Sequence, residues 1–217
     1  MSERAVRRMT ETEFLEWQHH QEMRYELVDG VPRAMTGARF RHDRVLGNAF
    51  GMLLDALEAV DSLCRPFTAD IAVRVPTGDL RRPDVAVYCP PFDEDAMVSD
   101  RPRLVVEVLS ESTEDTDQHV KVDEYQHMDA VDYIVLVAPR IADVLVWSRE
   151  EDHSWRSIRY QSLDDVVPLP RFGVSLSLSR LYRSVELRPR PRLVSEDRRR
   201  GGPLDRDSGS SAMGSNE

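Results

Sequence analysis

LVVEVLSESTEDTDQHVKVDEY, residues 104–125, is the stretch from which the rest of the chain is read. Its first six residues, Leu104 to Leu109, are a short β-branched apolar run, the pattern of a strand covered on both faces. Glu107 sits inside that run. A carboxylate there either faces water at a sheet edge or loses hydration at a cost of several kcal/mol, roughly, and needs compensation. A metal ion would supply it. The second half is acidic and helix-competent, ends at Tyr125, and carries Lys121, the only lysine of the chain. Taken alone, Lys121 fits a surface ion pair with Asp117, four residues earlier, worth about 0.2–0.5 kcal/mol. Tyr125, one helical turn past Lys121, lies on the same face and either braces it or packs in the core.

Outward from this stretch, the 217 residues are 41% apolar and 31% charged, a soluble globular composition for one domain of ordinary size. No apolar run reaches the length of a membrane span. The first residues, MSERAVRRMTETEF, lack the apolar core of a signal peptide. Cys64 and Cys89 are too few for a disulfide framework and lack metal-ligand spacing, so the expected location is cytoplasmic. The formal charge of −10 argues against passive binding to nucleic acid, though not against a local basic groove around an acidic site. From Leu187 the composition turns to arginine, proline, glycine and serine, which predicts a disordered tail over 187–217 and a folded domain over 1–186. Within the tail, Arg198-Arg199-Arg200 reads as a solvated run.

In chain order, Thr10 and Glu13 have capping-box spacing at the start of a helix. Arg24 to Val28 and Val31 to Met35 read as strands joined by Asp29-Gly30, a hairpin turn signal. Alternation places Glu26 either inward or at an exposed edge. His42 opens a long amphipathic helix whose apolar residues, Val45 to Leu57, recur at three- and four-residue spacing. There it is a cap, a surface group or part of a site. Ile71, Val73 and Val75 alternate along one strand. Arg82-Pro83-Asp84 begins another that runs to Tyr88, with proline where no ladder donor is needed and Asp84 at the strand mouth. Phe92 to Arg103 reads as an acidic loop. Asp132 to Val137, Asp143 to Trp147 and Trp155 to Tyr160 are three further strands, and Val174 to Leu178 alternates again.

Glu26, His42, Pro83-Asp84, Glu107-Val108-Leu109-Ser110, Asp117, Lys121 and Tyr125 follow one another in an order that resembles the Uma2 family of endonucleases. That family has the restriction-endonuclease-like PD-(D/E)xK fold. The likeness spans about Thr10 to Tyr182 and rests on RYELVDG, RRPDVAV, LVVEVLSEST, the D-x-x-x-K-x-x-x-Y segment and VDYIVLV. It implies an α/β fold, a restriction-endonuclease-like mixed β-sheet flanked by helices, with the site at the mouth of a central pair of strands. Asp84 and Glu107 match the two motif carboxylates and would bind Mg²⁺ or Mn²⁺, with the Val108 carbonyl as a further ligand. Glu26 matches an early family glutamate. Leu109 stands where the general motif has lysine, and Lys121 matches a lysine relocated to the next helix. His42, Asp117 and Tyr125 would be accessory.

These residue types suit phosphodiester hydrolysis. Magnesium takes oxygen ligands and keeps several waters, and an ammonium beside the attacking water stabilises developing charge. The expectation is therefore a Mg²⁺-dependent DNA endonuclease. The alternatives are a non-catalytic nucleic-acid-binding or regulatory protein that keeps the fold, and a nuclease acting on RNA or branched structures. The intact Asp84, Glu107 and Lys121 favour the enzyme, and the acidic net charge favours the alternatives. The oligomeric state is open, a homodimer included.

Overall fold

Thr10 accepts from the Glu13 amide while the Glu13 carboxylate accepts from the Thr10 amide, so the capping box forms and starts α1 (Glu11–Gln18). The structure, a computed structural model, describes residues 7–35, 37–110 and 115–189. After α1 come the hairpin strands β1 (Tyr25–Val28) and β2 (Val31–Ala34) and the long helix α2 (Phe40–Glu58). Strands β3 (Arg65–Thr68), β4 (Ala72–Arg74), β5 (Leu80–Arg81), β6 (Val85–Tyr88), β7 (Val98–Ser99) and β8 (Leu104–Val108) lead to α3 (Asp115–Gln126). Then follow β9 (Tyr133–Val137), β10 (Val144–Arg149), β11 (Trp155–Tyr160), β12 (Val166–Leu169), β13 (Val174–Ser177) and the one-turn helix α4 (Leu178–Leu181).

The main sheet has six strands in the order β11-β10-β9-β8-β6-β3. It is mixed: β8 and β9 are parallel, while β8 pairs antiparallel with β6. The parallel pair requires a crossover, and α3 provides it. Side chains alternate through the central strands. Val85, Val87, Leu104, Val106 and Val108 point into the core built on Val45, Ala49, Met52, Leu53 and Leu57 of α2. Ala86, Tyr88 and Val105 point the other way, into a core with Val122, Tyr125 and Met128 of α3 and its C-terminal end. Glu107, two residues after Val105, therefore belongs to the α3 face. The register Val85↔Val106, extended by one residue, sets Asp84 opposite Glu107.

A second sheet, ordered β2-β1-β5-β4-β7, covers a smaller core of Phe14, Leu27, Ala72 and Leu80. Asp29 and Gly30 both have positive φ, 52° and 72°, as a tight hairpin turn requires.

Four features differ from the sequence reading. Cys64 and Cys89 form a disulfide. They flank the antiparallel pair Arg65↔Tyr88, so the ladder brings them face to face although 25 residues separate them in sequence. The strand Arg65–Thr68 is absent from the sequence reading. The loop Phe92–Arg103 contains the short strand Val98–Ser99, paired parallel with β4. At the C-terminal side, Leu187 packs on the main core, and the Arg188 amide donates to the Arg140 carbonyl at 2.7 Å. Arg198 to Arg200 lie outside the described residues. Among the described residues, no helix is long and apolar enough to cross a membrane.

Candidate active site

The main sheet, the second sheet, α2 and α3 all deliver side chains to one place. Asp84 immediately precedes β6, and Glu107 comes from β8. On α3, Lys121, Glu124 and Tyr125 share a face at i, i+3 and i+4. The second sheet contributes Glu26 from β1 and Arg81 from β5. Glu26, Arg81, Arg82 and Glu124 are buried charged groups of this region, with exposures of 8%, 1%, 5% and 8%.

Lys121 is where the surface reading fails. Its side chain is 14% exposed, and its Nζ lies 2.9 Å from Glu26 Oε1 and 3.6 Å from Glu107 Oε1. It is held between two carboxylates rather than on the surface. Burial alone lowers a lysine pKa, but here Glu107 and Glu26 outweigh it and hold the ammonium charged. Asp117 lies on α3, and its side chain is outside what the structure describes. The Tyr125 hydroxyl donates to Glu107 Oε1 at 2.9 Å, while the ring is fully buried in the α3 core. Tyr125 thus packs and braces at once, and the group it braces is Glu107.

Burial pushes the Glu107 carboxyl up to about 7, against the pull of Lys121 and with the help of Asp84 and Glu26. Burial also pushes Glu26 upward, but Lys121, the Arg82 amide and Arg81 outweigh it, and Glu26 stays below its ordinary value. The Arg82 amide donates to Glu26 Oε1 at 3.0 Å. Glu26 is therefore inward, not at an open edge.

Asp84 Oδ2 accepts from the Val108 amide at 2.7 Å. His42 Nε2 stands 3.4 Å from the same oxygen. His42 is not a cap: Arg39 is the N-cap residue and makes no side-chain capping bond. Burial lowers the His42 pKa, yet Asp84, the Val108 carbonyl and Glu107 together raise it above its ordinary value. His42 Nδ1 is buried and has no hydrogen-bond partner among the described residues. Leu109, in the position of the general motif's lysine, lines a small cavity of ≈ 20 Å³ with Glu107, Lys121, Tyr125 and Leu136.

Sequence reasoning misses the supports of this site. Arg81 grips Glu124 with two bonds, Nε at 2.6 Å and Nη2 at 2.8 Å, and reaches Glu26 at 3.3 Å. Its neighbour Arg82 donates through the side chain to the carbonyls of Tyr25, Ala69 and Asp70. The spacing of Lys121 and Glu124 on one helix face is a signal for Glu124; nothing local marks Arg81.

The donors fit a small divalent cation. Asp84, Glu107 and the Val108 carbonyl offer hard oxygens. The upward shift of Glu107 beside Asp84 is the strain that such a charge relieves. Among the described residues no three His, Cys, Asp or Glu side chains form a metal cage. An ion on Asp84, Glu107 and the Val108 carbonyl would keep water in its shell.

The Uma2 family model, described as "Putative restriction endonuclease", matches residues 12–180. The chain belongs to the Uma2 family. Asp84, Glu107 and Lys121 all fall inside the Uma2 match. The chain is 28% identical over 180 residues to the uncharacterized protein slr1290 of Synechocystis, covering 82% of this chain and 93% of that one. It is similar in fold to the crystal structure of a "putative nuclease belonging to DUF820" from Anabaena variabilis, with a TM-score of 0.64 and 18% identity over 80% of this chain and 97% of the other. This chain, like that structure, has a mixed α/β fold with sheets flanked by helices.

Proposed function

We propose that this protein is a divalent-metal-dependent endonuclease that hydrolyses DNA phosphodiester bonds. The observation that carries the reading is Lys121: an ammonium from α3 buried 3.6 Å from the Glu107 carboxylate, where the general motif would bring lysine from the strand itself. The family description, "Putative restriction endonuclease", supports DNA as the substrate.

In this reading Asp84 and Glu107 hold Mg²⁺ or Mn²⁺, with the Val108 carbonyl alongside. When bound, the ion polarises the phosphoryl oxygen and lowers the pKa of water. Lys121 donates to the attacking water and to the phosphoryl oxygens as their charge grows. Glu26 fixes the direction of the ammonium through the 2.9 Å bond. Tyr125 holds one oxygen of Glu107 and so limits its rotation. His42 keeps Asp84 in place from the α2 side.

The test is incubation of purified protein with supercoiled plasmid, single-stranded DNA and RNA, each with Mg²⁺, Mn²⁺ or EDTA. Plasmid is expected to be nicked or linearised with either ion and to stay intact in EDTA. Retention of plasmid in a gel shift without cleavage in either ion would contradict the enzyme and favour a non-catalytic nucleic-acid-binding protein.

A further inference from the structure

We infer that a second cleft, at the far end of the strand pair that carries the active site, binds a small organic cation. Strand β6 runs from the Asp84 end to Tyr88, and β8 starts beside it at Leu104. The catalytic groups and this cleft therefore lie at opposite ends of the same two strands. The cleft has a volume of about 810 Å³, within the size range of small-molecule sites.

Its wall is aromatic. Phe67 meets Tyr88 edge-on at 5.6 Å between centroids, and meets Phe92 at 5.8 Å. Tyr88 is only 6% exposed, yet its hydroxyl is buried without a hydrogen-bond partner among the described residues. A buried hydroxyl left unpaired is costly, and this one belongs to a residue that lines the cleft. The wall is also fixed: the Cys64–Cys89 disulfide ties the end of β6 to the start of β3.

Charge selects the ligand. The arginines of the cleft are mostly engaged within the protein. Arg74 pairs with Glu11, and Arg103 and Arg171 pair with Asp132. Arg149 donates to main-chain carbonyls and stacks over Trp155. The carboxylates of Asp93 and Glu94, directly after Phe92, and of Asp100 line the same cleft; Asp93 accepts from the Asp95 amide, Asp100 lies within electrostatic reach of Arg74, and none of the three is in a salt bridge among the described residues. Aromatic faces attract cations, carboxylates outside any salt bridge hold them, and the Tyr88 hydroxyl can accept an N–H. An ammonium or guanidinium on an alkyl chain satisfies all three. An anionic aromatic ligand of similar size would meet the carboxylates unfavourably.

Calorimetric titration with agmatine, spermidine and, as the anionic control, 5′-AMP tests this. One of the two cations is expected to bind saturably at one site, with at least fivefold weaker affinity in Tyr88→Phe and tenfold weaker in the double variant Asp93→Asn/Glu94→Gln. Asp84→Asn is expected to bind it as wild type does, because the catalytic carboxylates lie at the other end of the strands. No saturable binding of either cation would overturn the site. So would equal affinity in Tyr88→Phe and the double variant, loss of binding in Asp84→Asn, or tighter binding of 5′-AMP.

Discussion

At Glu107, burial and the neighbouring carboxylates of Asp84 and Glu26 outweigh Lys121, and the folded-state pKa rises from 4.5 to about 7. The folded protein therefore binds a proton that the unfolded chain has already released. This contribution to stability is full below about pH 4.5 and is lost as pH rises through about 7. His42, also raised above its ordinary value, adds a loss of the same sign. Metal-free wild type is thus expected to melt lower at pH 8 than at pH 5 on account of these groups. Glu107→Gln, which cannot ionise, should lose clearly less between the two pH values. Thermal melts in EDTA at both pH values decide it, and an equal loss in both proteins would show that Glu107 is not strained.

Helix α3 is the element that joins the two sheets. One face of it meets Glu107 on the main sheet through Lys121 and Tyr125. The same face meets Glu26 and Arg81 on the second sheet through Lys121 and Glu124. Removing Arg81 leaves two buried carboxylates with less compensation, and breaking such a pair typically costs about 3–5 kcal/mol. Arg81→Met is expected to lose stability on that scale. The double variant Arg81→Met/Glu124→Leu should recover a good part of it, since no orphaned Glu124 charge remains. Urea unfolding of both variants checks this, and a double variant weaker than Arg81→Met would contradict the pairing. The carboxylates of the site are legible in sequence because each interrupts or opens an apolar strand pattern, as Glu107 does between Val106 and Val108. Arg81 is not legible: an arginine ahead of Arg82-Pro83 looks like a surface residue, and Glu124 is 43 residues away. Strand β3 escapes because Pro66 breaks its pattern; the proline is tolerated because β3 lies at the sheet edge.

The whole molecule carries a formal charge of −10, so the DNA binding that the proposed function requires must come from local groups and not from net attraction. Composition alone draws the domain boundary at Leu187, yet Val185 and Leu187 both rest against the main core. Compositional bias cannot register such contacts, because they depend on two isolated apolar residues. Truncation after Pro189 is expected to leave the melting temperature nearly unchanged, whereas truncation after Arg183 should cost about 1–3 kcal/mol for the lost apolar burial. Equal melting temperatures for the two would show that the contacts contribute nothing. The most direct measurement on the assembled site is Mg²⁺-dependent plasmid nicking by wild type and Lys121→Arg, with Mn²⁺ calorimetry on both proteins. A guanidinium is planar and broad where a compact ammonium is needed. Lys121→Arg should fold, bind Mn²⁺ with near wild-type affinity, and nick plasmid at least about 100-fold more slowly. Nicking by Lys121→Arg at the wild-type rate would contradict a catalytic role for Lys121.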